Sequence, residues 1–223
     1  ISLDMVNMII KDWGSECIFF FNYARFNAAI TNSKAEKNVI NFLGEKEFNQ
    51  IKTQIQEKNS QNRELSILEM IEKKFSDKSK FTIAFKFRNR NNILSHHLIF
   101  TTKHFLGYNA MKEIMAKESS SFVCEVPTYE YDPISSRDTE QLFLFDQLNP
   151  IKNLKKDLIS VFSGRDILLT ELFEEHSVGK VYLLKNYKKA LLELENEQYI
   201  AVQRPSARSK LNAIADKSII SFK

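Results

Sequence analysis

The spacing of apolar residues over 150–223 constrains the fold of this chain more than any other feature. Three segments in this range have the period of a helix, and two segments with the alternation of strands follow them. The predicted elements are a helix ending at Gly164, an extended segment at 166–169, a second helix capped by Thr170 and running to His176, a third helix over Val181–Glu197, and strands at 199–202 and 218–222. Three helices followed by a two-stranded ribbon is the order of a winged helix-turn-helix.

The excess positive charge of the chain lies in this same range. The whole sequence has a formal net charge of +4. Residues 150–223 contain 13 Lys and Arg against 9 Asp and Glu, whereas residues 1–149 contain 19 of each kind. A basic segment beside a neutral one is typical of a domain that contacts a polyanion.

Lysines occupy the first half of the third predicted helix, and Glu193, Glu195 and Glu197 occupy its second half. This polarity opposes the helix dipole, which disfavours each cation near the N-terminus by roughly 0.3–1 kcal/mol. Lys185 and Lys189 also repel each other, because they are four residues apart on one face. Helix stability does not explain this arrangement, whereas an anionic ligand does.

The basic face and the wing supply the predicted nucleic-acid-binding residues. These are Lys180, Tyr182, Lys185, Asn186, Lys188, Lys189, Arg204, Arg208 and Lys210. The arginines and Lys210 would hold phosphates from the wing, while Asn186 and Tyr182 are suited to base edges. The alternative, which stays open, is a solvated lysine face on a winged helix that contacts protein.

Residues 1–118 have the pattern of an α/β domain. Apolar spacing predicts an amphipathic helix from Leu3 to Trp13, and the apolar run over 16–23 predicts a strand buried on both faces of a parallel sheet. Residues 34–78 are predicted to form a helical insertion or lid, with Leu65 on one of its apolar stripes.

A β-hairpin is predicted next, with strands at 81–87 and 94–101, and a helix over 107–117 follows it. Residues 119–149 contain prolines and serine clusters, so we expect a linker there, with 142–145 docked on one of the domains. The expected organisation is therefore a partial α/β domain, a linker, and a winged helix over 150–223.

Polar side chains follow the predicted strand at 16–23, where open α/β sheets bind their ligands. The candidates for a substrate crevice are Asn22, Tyr23, Arg25, Asn27 and His104. Asn22 and Arg25 could hydrogen-bond a ligand, and the equally open alternative is that Asn22 caps the following helix. His96 and His97 are adjacent in a strand and point to opposite faces, so we expect structural histidines rather than a metal site.

Sequence motifs of common chemistries are absent. The five glycines are isolated from one another, no GxSxG occurs, and neither Cys17 nor Cys124 has a CxxC partner. No metal site is predicted.

Signals for a membrane or for secretion are also missing from the sequence. No apolar run reaches the roughly 18 residues of a membrane span, and no secretory leader opens the sequence. We therefore expect a cytoplasmic protein without a membrane partner.

Four segments carry a resemblance to the three-Cys-motif partner family of bacterial and phage-associated proteins. They are 12–23, 95–104, 111–121 and 174–188. The first three resemble parts of a class I, S-adenosylmethionine-type methyltransferase, and the fourth resembles the winged helix that ends these proteins. The implied fold is the C-terminal half of a Rossmann-type methyltransferase-like sheet with a helical insertion, followed by a winged helix-turn-helix.

This resemblance also implies a function. The glycine-rich loop and the ribose-binding acid of such a fold would precede Ile1, so no cofactor is expected in this chain, and S-adenosylmethionine is expected only in a longer protein. DNA or RNA and a three-Cys-motif protein are the expected partners. The alternative is a non-catalytic adaptor that binds a partner protein in a phage-related or DNA-repair system.

Overall fold

The computed structural model describes residues 2–11, 14–32, 34–55, 60–75, 81–134, 149–205 and 213–223. The chain divides into two compact units. Unit 1 contains Ile1–Glu118 and Tyr129–Ile134, and unit 2 contains Ser119–Thr128 and Ser135–Lys223. Among the described helices, none is long and apolar enough to cross a membrane.

The described elements are numbered in chain order. They are α1 (Leu3–Ile10), β1 (Cys17–Phe21), α2 (Tyr23–Ile30), α3 (Glu36–Leu43), α4 (Glu45–Ile55), α5 (Ser60–Phe75), β2 (Phe81–Arg88), β3 (Leu94–Thr102), α6 (Phe105–Lys117), β4 (Phe122–Val123), β5 (Val126–Pro127), β6 (Glu130–Tyr131), α7 (Pro150–Phe162), β7 (Asp166–Leu168), α8 (Leu169–Ser177), α9 (Leu184–Asn196), β8 (Ile200–Gln203) and β9 (Ile219–Phe222).

The sheet of unit 1 has the strand order β1-β3-β2-β6. The predicted hairpin is confirmed, since β2 and β3 pair antiparallel. The prediction of a strand buried on both faces of a parallel sheet is wrong for β1, which pairs antiparallel with β3 at the end of the sheet. Burial alternates along it as period two requires: Phe19 and Phe21 are buried, whereas Ile18 and Phe20 are at least half exposed.

The core of unit 1 lies on the Phe19 and Phe21 face of the sheet, where residues from α1 to α5 pack in one cluster. The helices expected as an insertion or lid are therefore part of this core. The apolar stripe of α5 differs in part from the prediction: Ile71 is buried as expected, but Leu65 is exposed and Ile67 is buried instead. Ile67 and Ile71 are four residues apart and lie on one face of α5. That face packs in the core cluster, and the face that carries Leu65 does not.

The residues expected as a linker contain three short strands. β4 and β5 form an antiparallel hairpin that belongs to unit 2, and β6 adds to β2 in parallel within unit 1. The backbone N–H of Lys86 donates to the carbonyl of Tyr129, and Arg88 pairs with Glu130 at 2.9 Å. Backbone pairing, which composition does not report, thus orders 119–134. The expected docking segment 142–145 lies outside the described residues.

Unit 2 has the order α7, β7, α8, α9, β8 and β9, and its sheet has the strand order β7-β9-β8 with antiparallel pairs. Its core includes Leu154, Phe162, Leu172 and Leu191, all fully buried. The predicted cap at Thr170 is wrong, because α8 begins one residue earlier and Thr170 lies in its first turn.

Candidate nucleic-acid interface

The start of α9 is held by Asn186, which the sequence placed at a base edge. Its Oδ1 accepts a hydrogen bond from the backbone N–H of Leu183 at 2.8 Å, and its Nδ2 donates to the carbonyl of Glu125 at 3.3 Å. The residue is 1% exposed. The expectation for Asn186 is corrected: the side chain caps a helix and is buried, so it does not present its amide to a base.

Two further residues of the predicted set are also used inside unit 2. The Tyr182 hydroxyl donates to the carbonyl of Pro150 at 3.0 Å. The Arg204 guanidinium donates to both carboxylate oxygens of Glu195, at 2.8 and 2.7 Å, and is largely buried. Both side chains use their donors within unit 2, and their expected roles at base edges and wing phosphates stay predictions. Arg208 and Lys210 lie outside the described residues.

The lysines around the first half of α9 are partly exposed and lie beside carboxylates. Lys180 pairs with Asp157 at 2.6 Å, and Lys188 pairs with Asp216 at 2.7 Å. All four side chains keep about a third or more of their surface in solvent. Exposed ion pairs of this kind contribute only about 0–1 kcal/mol and are weakened by salt. Another anion can therefore replace these carboxylates.

The remaining two lysines contact the β4–β5 hairpin. Lys189 pairs with the Glu125 carboxylate at 2.8 Å, and the Lys185 ammonium lies 6.0 Å from the centre of the Phe122 ring. The hydrogen bond from Lys189 lowers the pKa of Glu125, and the charge of Lys185 lowers it further. One carboxylate therefore compensates two lysines that are one helical turn apart.

A hydrogen-bonded network connects Lys180 to the interior of unit 2. His176 Nδ1 lies 2.7 Å from the Tyr187 hydroxyl, and His176 Nε2 lies 3.3 Å from the Asp157 carboxylate that also receives Lys180. Burial lowers the pKa of His176, and the charge of Lys180 acts in the same direction. The neutral imidazole joins α8 to α9, a role that the sequence analysis did not assign.

The comparison with protein families agrees with this architecture. A family model described as a GMT-like wHTH domain matches residues 128–207. The match includes α7, α8, α9 and β8. This region is a winged helix-turn-helix domain. No curated protein and no solved structure matches the chain. A winged helix of this kind indicates binding of nucleic acid or of a partner.

Apart from the winged helix, a cleft of ≈ 600 Å³ opens beside β1 in unit 1. Phe21, Phe26 and Phe42 form its aromatic wall, with ring centres 5.0 to 5.8 Å apart. The predicted crevice residues Asn22 and Arg25 also line it. Asn22 Oδ1 accepts from the backbone N–H of Arg25 at 2.9 Å, so the alternative role of Asn22 as a helix cap is confirmed.

The other three crevice candidates are not among the residues that line this cleft. Tyr23 is buried, with its ring edge-on to His97 at 5.8 Å. His104 occupies the N-cap position of α6, and Asn27 is half-buried on α2. They do not line this cleft, because successive helical residues point in different directions and α6 starts after another strand.

Sequence reasoning missed a charged cluster in the core of unit 1. Glu64 Oε1 lies 2.8 Å from Lys86 Nζ and 3.5 Å from His97 Nε2. Burial alone would raise the pKa of Glu64, but hydrogen bonds from His97 and Lys86 outweigh it and lower the pKa to about 2. Glu64 precedes the buried Ile67 by three residues, and this helical spacing is the signal that places it inward.

Lys112 was also missed. It is fully buried on α6, with its ammonium 5.5 Å from the centre of the Tyr108 ring. Burial lowers the pKa of Lys112 to about 7. Lys112 lies four residues after the buried Tyr108 and three before the buried Met115, and this helical spacing is the signal that places it inward.

Proposed function

We propose that the winged helix binds the phosphate backbone of DNA or RNA through the first half of α9. The observation that carries this proposal is the set of Lys185, Lys188 and Lys189 on α9, with Lys180 shortly before the helix. The described carboxylate partners of Lys180, Lys188 and Lys189 are all surface groups. Phosphate oxygens are better partners for such a cluster than single carboxylates, because adjacent phosphates bring several negative charges to one face.

The binding would be largely independent of base sequence. Phosphate contacts position a protein on nucleic acid, whereas contacts to base edges select a sequence. Asn186 and Tyr182 use their polar groups within unit 2. Lysines would therefore supply most of the affinity, and the affinity would fall steeply with salt.

We propose that unit 1 is part of a methyltransferase-like domain like that of three-Cys-motif partner proteins. The resemblance of segments 12–23, 95–104 and 111–121 supports it, as does the antiparallel strand β3 between β1 and β2. The domain name of the matching family also suggests it. The cleft that Asn22 and Arg25 line would then lie on the substrate side.

The residues of this chain do not fit S-adenosylmethionine. No two of the five glycines are close enough in sequence to form a loop around the donor, and Asn22, the nearest polar residue after β1, caps α2. No catalytic step is therefore assigned to the described residues. A methyl donor would need a glycine-rich loop and a ribose-binding acid from further polypeptide.

A second function, that of a non-catalytic adaptor, has one observation in its favour. Lys180, Lys188 and Lys189 already lie beside carboxylates, as the lysines of a protein-binding face do. In this role the winged helix would bind a partner protein, such as a three-Cys-motif protein, in place of nucleic acid.

Fluorescence anisotropy separates the two functions. The full chain is titrated into labelled duplex DNA, single-stranded DNA and RNA of about 20 nucleotides, two helical turns for the duplex. The double variant Lys185→Glu/Lys189→Glu should bind at least about tenfold more weakly, because it reverses two charges on the face.

The matched control is Lys37→Glu/Lys46→Glu, which makes the same change in net charge at two exposed lysines of unit 1. It should bind nearly as well as the wild type. Equal losses in the two double variants, or no binding by the wild-type chain, would support the adaptor function instead.

A further inference from the structure

The β4–β5 hairpin contacts the same side chains of α9 to which nucleic-acid binding is proposed. The Glu125 carboxylate accepts a hydrogen bond from Lys189, and the Glu125 carbonyl accepts one from Asn186. The ring of Phe122 lies under the ammonium of Lys185. Two residues of the hairpin thus engage three residues in the first two turns of α9.

Glu125 lies where a phosphate would bind. Lys185 and Lys189 are one turn apart, so their ammonium groups repel each other unless an anion lies near both. The distance of 2.8 Å from Lys189 to the Glu125 carboxylate is that of a charge-assisted hydrogen bond to any oxyanion. Both lysines lower the pKa of Glu125, so the group is ionised over the physiological range.

We infer that the β4–β5 hairpin is an internal competitor of nucleic acid, in which Glu125 takes the place of a phosphate on Lys185 and Lys189. This inference rests on the proposed function of α9. Nucleic acid that binds the lysine face must displace the hairpin tip, and the affinity of the chain is reduced by the fraction of molecules in which the tip is bound.

The tip is built to be displaced. Cys124 and Glu125 form a two-residue turn with φ of 48° and 68°, a left-handed conformation that favours Asn and Gly and disfavours other residues. The Glu125 side chain is 66% exposed, so its ion pair is open to exchange. A hairpin of two-residue strands has little stability of its own.

The base of the hairpin is held differently. Val126 is 3% exposed, and the Thr128 hydroxyl and backbone N–H both donate to the carbonyl of Ser121. The tip therefore depends on the exposed ion pair of Glu125 with Lys189 and on one hydrogen bond from the buried Asn186 amide, while the base depends on packing and backbone pairing. We expect the tip to leave α9 while the base stays paired.

Substitution of Glu125 tests the competition. Glu125→Gln keeps the size of the side chain and removes its charge, and the control Glu174→Gln removes the same charge from an exposed position on α8. The full-length Glu125→Gln variant should bind labelled duplex DNA at least about fivefold more tightly than Glu174→Gln, the lower end of a typical coupling between sites. Equal affinities of the two variants would overturn the inference.

Cys124 reports on the tip directly. In a Cys17→Ala background, Cys124 is the remaining thiol of the chain; it is partly buried with the tip in place, so its rate of maleimide labelling should rise when the tip leaves α9. Lys189→Met should raise this rate relative to Lys46→Met, and saturating duplex DNA should raise it in the wild-type background. Slower labelling in the presence of DNA would mean that DNA covers a tip that stays in place, which contradicts displacement.

The outcomes distinguish this inference from the proposed function. If DNA binds through Lys185 and Lys189 but Glu125→Gln behaves like Glu174→Gln, nucleic-acid binding stands and the competition is wrong. If neither the wild type nor Glu125→Gln binds DNA or RNA, the proposed function fails, and the competition fails with it.

Discussion

The interior of unit 1 and the surface around α9 in unit 2 hold ionisable side chains in different ways. Unit 1 encloses Glu64, His97 and Lys112 in its interior. Around the first half of α9, unit 2 instead keeps its lysines at the surface, beside carboxylates from other segments. A buried charge depends on a fixed partner because removal from water is costly, whereas a surface pair can exchange its partner at little cost. Substitutions in the interior of unit 1 are therefore expected to change stability, and substitutions on the lysine face of unit 2 are expected to change the proposed binding.

The largest effect is expected from Glu64→Gln. This change removes the largely buried carboxylate beside Lys86 and His97, and the loss of its charge-assisted hydrogen bond with the partly exposed Lys86 should lower the free energy of unfolding by about 2 kcal/mol. Glu69→Gln on the same helix is the exposed control and should have almost no effect. Hydrogen exchange should speed up in β2 and β3 and stay unchanged in α9. Unchanged exchange in β2 and β3 would contradict a structural role for the cluster.

Lys112→Met should raise the free energy of unfolding, whereas Glu64→Gln should lower it. The pKa of Lys112 is about 7 in the folded chain and 10.5 in the unfolded chain, so the unfolded state binds more protons between these values. Wild-type stability should therefore rise from pH 7 to about pH 10, and Lys112→Met should remove that rise and stabilise the chain by about 1–2 kcal/mol at pH 7.

Lys117→Met, at an exposed position at the end of α6, is the control for Lys112→Met. Urea denaturation at several pH values measures both variants. A loss of stability in Lys112→Met at pH 7 would show that the ammonium has a stabilising partner stronger than its cost of burial.

A smaller effect is expected from Asn186→Ala. The variant loses the bond to the Leu183 N–H at the start of α9, which should cost about 1 kcal/mol. Because this amide is buried, the ratio of affinities for two DNA duplexes of different sequence should not change. A changed ratio would restore Asn186 as a residue that contacts bases.

The smallest change in stability is expected from Lys188→Met. Its exposed pair with Asp216 should contribute less than about 0.5 kcal/mol, so thermal denaturation should be nearly that of the wild type. Affinity for duplex DNA should nevertheless fall several-fold, because one phosphate contact is lost. A large loss of stability with unchanged affinity for DNA would contradict this prediction, because Lys188 would then stabilise the fold without contributing to binding.

Local patterns predicted much of the fold. The hairpin of β2 and β3 and the helices and ribbon of the winged helix follow from apolar spacing within single segments. The exposure of one face of β1 could not be predicted from its apolar run. Such a run indicates a strand but gives no information on the elements that cover its two faces. The burial of Glu64 and Lys112 was also missed, since polar residues at core positions are recognised only when the helix phase is known.

The candidate site was predicted in part for the same reason. The unfavourable position of Lys185 and Lys189 in the helix dipole indicated an anion, and the chain itself supplies one through Glu125. Glu125 is 64 residues away from Lys189 in sequence, in a segment expected to be a linker. Periodicity reports neighbours along one helix and carries no information on such a contact.

The salt dependence of nucleic-acid binding tests the central claim most directly. For the full chain and labelled duplex DNA, a plot of log affinity against log salt concentration should be linear with a slope of about −2 to −4, as expected for up to four lysine–phosphate contacts. Lys185→Met/Lys189→Met should make the slope less negative by about 2. A slope near zero, or one that this double variant leaves unchanged, would contradict phosphate binding by the first half of α9.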